Sequence, residues 1–327
     1  MSTHIEWTDE TWNPVVGCTK VSQGCKRCYA KTLHDKRHRA VLAGKKLHPQ
    51  YLQPFETVQL MPERLDAPLH WRKPRRVFVN SVSDLFHEDV PDEFIGDVFR
   101  IMAEAERHTF QILTKRPGRM LAWFNEYLPE ACSGEPPAPI WPLPNVWLGV
   151  SIENQKAADE RIPLLLETPA AVRFLSCEPL LGPIELPDDC TGLDWVIVGG
   201  ESGRDARQCD VIWIEDIIAQ CDFGGVACFV KQLGSRSIMG YYDWLRYCDE
   251  EGFSRDEPVY VTTQWQTGGG GSHTYYRWYL GENGARHDGQ PPSNAWVDFP
   301  SGRKGGDPSK WPEALRVREY PQPRVPA

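Results

Sequence analysis

Six short apolar runs recur along the chain at nearly even intervals, and they constrain its fold more than any other feature. They are Val77–Ser81, Phe110–Thr114, Val146–Ser151, Val172–Ser176, Trp195–Gly199 and Ala227–Lys231. Each is continuous rather than alternating, the pattern of a strand buried on both faces of a parallel sheet. Successive starts lie 23 to 36 residues apart, close to the length of a βα unit. Helical patterns fill most gaps. Pro91–His108 carries Phe94, Ile95, Val98, Phe99 and Met102 on one face, Gly118–Leu128 and Trp213–Cys221 are shorter, and Asn154–Glu167 is expected to be interrupted by Pro163. Cys177–Asp194 reads as loop, and a weak further strand is expected within Glu6–Gly17. Six or seven such units in one series predict an α/β fold, a partial or full (β/α) barrel rather than an open doubly wound sheet.

The barrel-like domain is expected over residues 1–239, with a proline-rich insertion at 129–144. Residues 240–306 are polar, aromatic and glycine-rich and read as a loop-rich C-terminal insertion, with a small hairpin at Thr274–Leu280. Residues 307–327 carry five prolines and are expected to wrap the surface. At 41% hydrophobic and 25% charged, the chain can bury a core, which excludes general disorder. No apolar run approaches the ~20 residues that span a bilayer. The opening residues show no secretory signal, so a cytoplasmic setting is expected, with the ten cysteines as free thiols or metal ligands. The net charge of -9 is uneven: Lys20–Arg76 holds 14 Lys+Arg against 4 Asp+Glu. That stretch is either a solvated basic helix or a face toward an anion.

The sharpest local signal is Cys18-x6-Cys25-x2-Cys28, flanked by Gly17 and Gly24 and followed by a helical pattern, Tyr29–Ala43, closed by Gly44. Three thiolates could hold three irons of a [4Fe–4S] cluster and leave the fourth open. A structural zinc could instead use the same thiols with His34 or His38. Ordinary thiols are the third reading. Spacing barely separates iron–sulfur from zinc. The βα series favours the cluster, since a zinc ribbon needs no barrel behind it.

Trp12–Cys18 through Cys28–Ala30 resembles the opening of a phage-associated family defined by a three-cysteine motif and grouped with the radical S-adenosylmethionine (SAM) enzymes. The similarity continues in Phe174–Ile184, Trp195–Gly203, Phe229–Gly234 and Lys304–Tyr320. The resemblance implies a [4Fe–4S] cluster on Cys18, Cys25 and Cys28, SAM on the open iron, an external electron donor, and cleavage of SAM to a 5′-deoxyadenosyl radical. The chain departs from the common C-x3-C-x2-C pattern: its first gap is six, and Arg27 rather than an aromatic residue precedes Cys28, so Tyr29 is the candidate for the adenine contact.

Each strand run ends in polar groups suited to the mouth of such a barrel. Ser81, Asp84, Lys115, Ser151, Glu153, Asn154, Glu178, Gly199, Gly200 and Glu201, with Tyr29, are the candidate cofactor contacts. Carboxylates and amides suit ribose hydroxyls and an ammonium, and Lys115 or Arg116 suits a carboxylate. The competing reading makes Asp84, Asn154 and Ser202 helix caps. Cys177, next to Glu178, could face the cavity, while the histidines at 70, 87, 108, 273 and 287 read as surface or capping groups. The expected activity is a radical SAM reaction on a substrate of unassigned identity, with a nucleotide or nucleic-acid base suggested by the basic stretch. The alternative is a zinc-stabilised nucleic-acid-binding protein without catalysis.

Overall fold

Inside each strand, residues alternate between two apolar environments, and this builds the molecule. The computed structural model describes residues 5–131, 141–240, 259–264, 275–280, 295–298, 308, 311 and 313–321. Seven strands form one parallel sheet in sequential order: β1 (Glu10–Trp12), β2 (Arg76–Val79), β3 (Thr109–Thr114), β4 (Val146–Ser151), β5 (Val172–Cys177), β6 (Trp195–Gly199) and β7 (Ala227–Gln232). The sheet curls into a half-barrel, with β1 and β7 as its two edges. All six expected runs are strands, and the seventh lies inside Glu6–Gly17.

Helices α1 (Tyr29–Leu42), α2 (Asp92–Glu104), α3 (Pro117–Ala122), α4 (Gln155–Glu167) and α5 (Val211–Gly224) occupy the connections. α3 runs on through a π-helical turn, Trp123–Tyr127, to Leu128–Ala131. α2 buries the five residues expected on one face, and Asp92 and Glu93 in its first turn suit the helix dipole. Pro163 does not interrupt α4. It is exposed, so the carbonyl it leaves without a backbone donor can turn to water.

Val77, Val79, Phe110, Ile112, Leu148, Val150, Val196 and Val198 face the helices and form the large core. The opposite positions carry the concave face: Phe78, Trp147, Phe174, Trp195, Ile197 and Phe229, joined by Trp7. These rings meet edge-on or tilted, with Trp195 5.7 Å from Phe174, 5.9 Å from Trp147, 6.1 Å from Trp7 and 6.2 Å from Phe229. They fill the floor of the half-barrel and leave its C-terminal rim polar.

Residues 317–320 close that floor. They lie along the edge of β7, where Val230 N–H donates to Val317 O at 2.9 Å and Glu319 N–H to Cys228 O at 2.8 Å. Tyr320 packs 5.6 Å from Trp195, and its hydroxyl donates to Glu6 O at 3.2 Å. Arg318 pairs with Glu6 at 2.6 Å. This segment ties β7 to the residues that precede β1.

Where loops were expected over 240–306, the described residues are strands, and the rest of that range lies outside the described residues. Val259–Gln264, Tyr275–Leu280 and Ala295–Asp298 are strands that join Ser237–Gly240 and Cys209–Asp210 in a five-stranded sheet. The hairpin partner of Tyr275–Leu280 is Val259–Gln264. The boundary at 239/240 falls inside a strand. Most of the 129–144 insertion lies outside the described residues.

Candidate functional site

The three cysteines lie in the connection between β1 and α1. Gly17 opens it with a φ of 89°, and a Cβ there would stand 2.2 Å from the Thr57 carbonyl oxygen. Only glycine permits that turn and that approach. Cys18 N–H then donates to Phe55 O at 3.0 Å, Gln23–Cys25 forms a 3-10 turn, and Cys28 immediately precedes α1. All three thiols are free and half-buried. Gly44, with φ 86°, follows the end of α1 as expected.

Three carboxylate–arginine groups fasten this loop over the C-terminal rim. Asp84, after β2, pairs with Arg116 at 3.3 Å, and the same guanidinium donates to Cys18 Sγ at 3.6 Å and Thr19 Oγ1 at 2.8 Å. Glu153, after β4, pairs with Arg161 of α4 at 3.0 Å and accepts from Gly24 N–H at 3.2 Å. Both members are buried, at 2% and 6% exposure. Glu201, after β6, pairs with Arg207 at 2.6 Å and Arg27 at 3.3 Å, and Arg207 Nη1 donates to Gln23 O at 3.0 Å.

Electrostatics follow from these contacts. Burial, with the Asp84 carboxylate beside it, pushes the Cys18 thiol up to about 11, while Arg116 acts in the opposite sense. Burial works to raise the Glu153 carboxyl, but the Ser22 hydrogen bond, Arg161 and Gly24 N–H together hold it below the ordinary value. Glu201 is likewise lowered, with its bonds to Arg207 and Arg27 outweighing burial.

The expected site residues divide accordingly. Asp84, Glu153 and Glu201 are engaged by arginines, and Glu153 and Glu201 also bond the cysteine loop directly. Asn154 caps α4, accepting from Ala157 N–H at 3.0 Å. A Cβ on Gly200 would stand 2.3 Å from Leu233 O, and one on Gly199 2.9 Å from Gln232 O, so both glycines serve backbone packing against the end of β7. Glu178 pairs with Lys231 at 3.0 Å. Tyr29 donates to Ser81 O, and Ser81 Oγ donates to Asn13 Oδ1 at 3.1 Å. Ser151 ends β4, and its carbonyl accepts from Arg161 at 2.6 Å. Lys115 sits beside Gly24 and Glu153 with its ammonium in no ion pair among the described residues.

Cys177 faces the helices rather than the cavity, because alternation along β5 sends Ser176 inward. Cys190, Cys209, Cys221 and Cys228 are buried thiols, and Cys132 and Cys248 lie outside the described residues. His87 and His108 are buried rather than superficial; His87 Nε2 is 2.7 Å from Thr19 Oγ1, directly under the loop. Arg161 and Arg207 escaped the sequence reading. Arg161 carried a signal, since it shares one stripe of α4 with the buried Ala157, Ala158, Ile162 and Leu165.

The donor set matches a thiolate-held iron centre in type: three thiols on one loop, with a guanidinium beside Cys18. No three His, Cys, Asp or Glu side chains are gathered at ligating distance among the described residues. Each imidazole suggested for zinc has one ring nitrogen on a backbone carbonyl. His34 Nε2 lies 2.9 Å from Gln53 O and His38 Nδ1 2.7 Å from Tyr51 O.

Fold and site together define an α/β half-barrel whose first βα connection carries three thiols across its mouth. The chain belongs to DUF5131, a family described as proteins of unknown function, which matches it over residues 2–290. No curated protein and no solved structure matches the chain. Among the described residues no helix is long and apolar enough to cross a membrane.

Proposed function

We propose that the chain is a radical SAM-type enzyme that holds a [4Fe–4S] cluster on Cys18, Cys25 and Cys28. The observation that carries this reading is the placement of the three-thiol loop in the β1–α1 connection, over the C-terminal mouth of a sequentially ordered parallel half-barrel. When bound, the cluster supplies the electron that breaks the C5′–S bond of SAM. The chain's own residues hold and orient. Asp84, Glu153 and Glu201 act as struts that fix the loop through Arg116, Arg161, Arg207 and Arg27. Arg116 offsets thiolate charge at Cys18. Lys115, in no ion pair among the described residues, receives the methionine carboxylate of SAM, and Tyr29, at the start of α1 with its hydroxyl on Ser81 O, offers its ring to the adenine. The aromatic floor excludes water from below. The substrate class that the basic stretch suggests is a nucleotide or nucleic-acid base.

Anaerobic reconstitution tests the reading. The protein should turn brown, carry about four irons per chain with matching sulfide, and release 5′-deoxyadenosine and methionine from SAM under dithionite. Cys18→Ala should lose the iron. Lys115→Met should keep the iron and weaken SAM binding about tenfold or more. A colourless protein with one zinc and no SAM cleavage would overturn the proposal.

A further inference from the structure

Arg116 differs from the other arginines that fasten the cysteine loop. Arg161, Arg207 and Arg27 bond carboxylate and backbone oxygens. Arg116 bonds oxygens too, but its Nη1 also donates to Cys18 Sγ at 3.6 Å. Its Nε donates to Glu88 at 3.1 Å, and its Nη2 to Thr19 O at 3.3 Å and Thr19 Oγ1 at 2.8 Å. The two bonds to Thr19 suffice to anchor the loop. The bond to sulfur is additional, and it brings a positive charge to one of the three thiols.

That charge is held in place. Arg116 follows β3, its N–H donates to Thr114 Oγ1 at 2.9 Å, and that hydroxyl donates to Asp84 Oδ1 at 2.7 Å. Asp84 also accepts from Phe86 N–H and Lys115 N–H, both at 3.1 Å, and pairs with Arg116 at 3.3 Å. The side chains of Arg116 and Asp84 are 9% and 8% exposed, so water and salt screen them weakly. Two opposed charges therefore stand beside Cys18 in fixed positions. Glu88 pairs with the same guanidinium at 3.1 Å but is 64% exposed.

We infer that Arg116, opposed by Asp84, sets the reduction potential of the centre held by Cys18, Cys25 and Cys28. This inference rests on the cluster proposed above. Reduction brings one electron onto the centre; no bond breaks and no proton moves. A guanidinium donating to a ligand sulfur stabilises the added negative charge, and a carboxylate beside it does the opposite. Removing Arg116 withdraws the positive charge and leaves Asp84 without its partner, so both changes disfavour the reduced form. Neutralising Glu88 acts in the other sense, because Arg116 is then less compensated, and its effect is smaller because solvent screens it. A residue that only supported the loop would produce no such opposition of sign.

The test is an anaerobic redox titration of the reconstituted full-length chain with dithionite and viologen mediators. Visible absorbance and the electron paramagnetic resonance of the reduced form are followed, and iron and sulfide are counted in each sample. Arg116→Gln should make reduction about tenfold less favourable, roughly 59 mV for a one-electron centre. Arg116→Lys, which keeps the charge, should recover part of that shift. Glu88→Gln should move the midpoint the other way by a smaller amount. An unchanged midpoint in iron-loaded Arg116→Gln, or shifts of one sign in Arg116→Gln and Glu88→Gln, would overturn the assignment and leave the cluster standing. Should Arg116→Gln fail to load iron, a Glu88→Gln midpoint at or below that of wild type would overturn it equally. Wild-type chain that takes up no iron and sulfide would overturn both this assignment and the function on which it rests.

Discussion

Arg161 shows how one residue connects packing to the site. Its guanidinium is buried between Ser151 O and the Glu153 carboxylate, and Glu153 in turn holds Gly24 N–H. Arg161→Met would leave that carboxylate buried without its counter-charge. The expected cost is about 3 kcal/mol, read as a shift of the urea midpoint at pH 7; a loss under about 1 kcal/mol would show that the pair is not a strut. The pH dependence has a definite sign. The folded Glu153 carboxyl titrates below the ordinary value of a glutamate. Its contribution is therefore full above that value and disappears as pH falls through the lower folded value. The stability gap between wild type and Glu153→Gln should shrink as the pH is lowered from 7 toward 3. At this scale the sequence was legible where chemistry is local. The cysteine triplet and the acids at strand ends stood out by type and spacing. Their partners did not, because Arg116 meets Cys18 across 98 positions and Arg27 meets Glu201 across 174. Such pairs are set by sheet order, which residue identity alone does not reveal.

The elements were more legible than their contacts. Continuous β-branched runs marked six strands because both faces of each are buried, by helices outside and rings inside. Two features resisted. The first is Pro163, whose exposed position lets α4 continue past a missing donor. Pro163→Ala should restore one backbone hydrogen bond and stabilise the chain by about 1 to 3 kcal/mol; a fall in the thermal midpoint would show that the ring itself is needed. The second is the smaller sheet. Its strand Val259–Gln264 pairs with Tyr275–Leu280 and Ala295–Asp298 across long intervening stretches. Without a short turn to signal each pairing, the glycine-rich setting read as loop. α1 was legible as a helix, yet periodicity could not say how little of it the fold would bury.

Across the whole molecule, charge and closure are separated. The basic surplus lies on the layer that carries the thiols, while the acids that fasten that layer lie at the ends of β4 and β6 and after β2. Raising salt should therefore leave the buried Glu153–Arg161 pair largely unscreened. Closure depends on residues 317–320, and Tyr320→Ala should cost about 2 kcal/mol, with altered near-ultraviolet dichroism from Trp195. An unchanged tryptophan signal would mean that the floor is sealed without it. The bond from Tyr320 to Glu6 spans 314 positions, and this has a consequence for how the chain is made. During ribosomal synthesis, β1 to β7 emerge before Tyr320 exists. The nascent half-barrel thus lacks the ring that packs on Trp195 and Phe229 until residues 317–320 arrive. A contact of such sequence separation forms late, so the nascent chain offers chaperones an aromatic surface that the finished protein conceals.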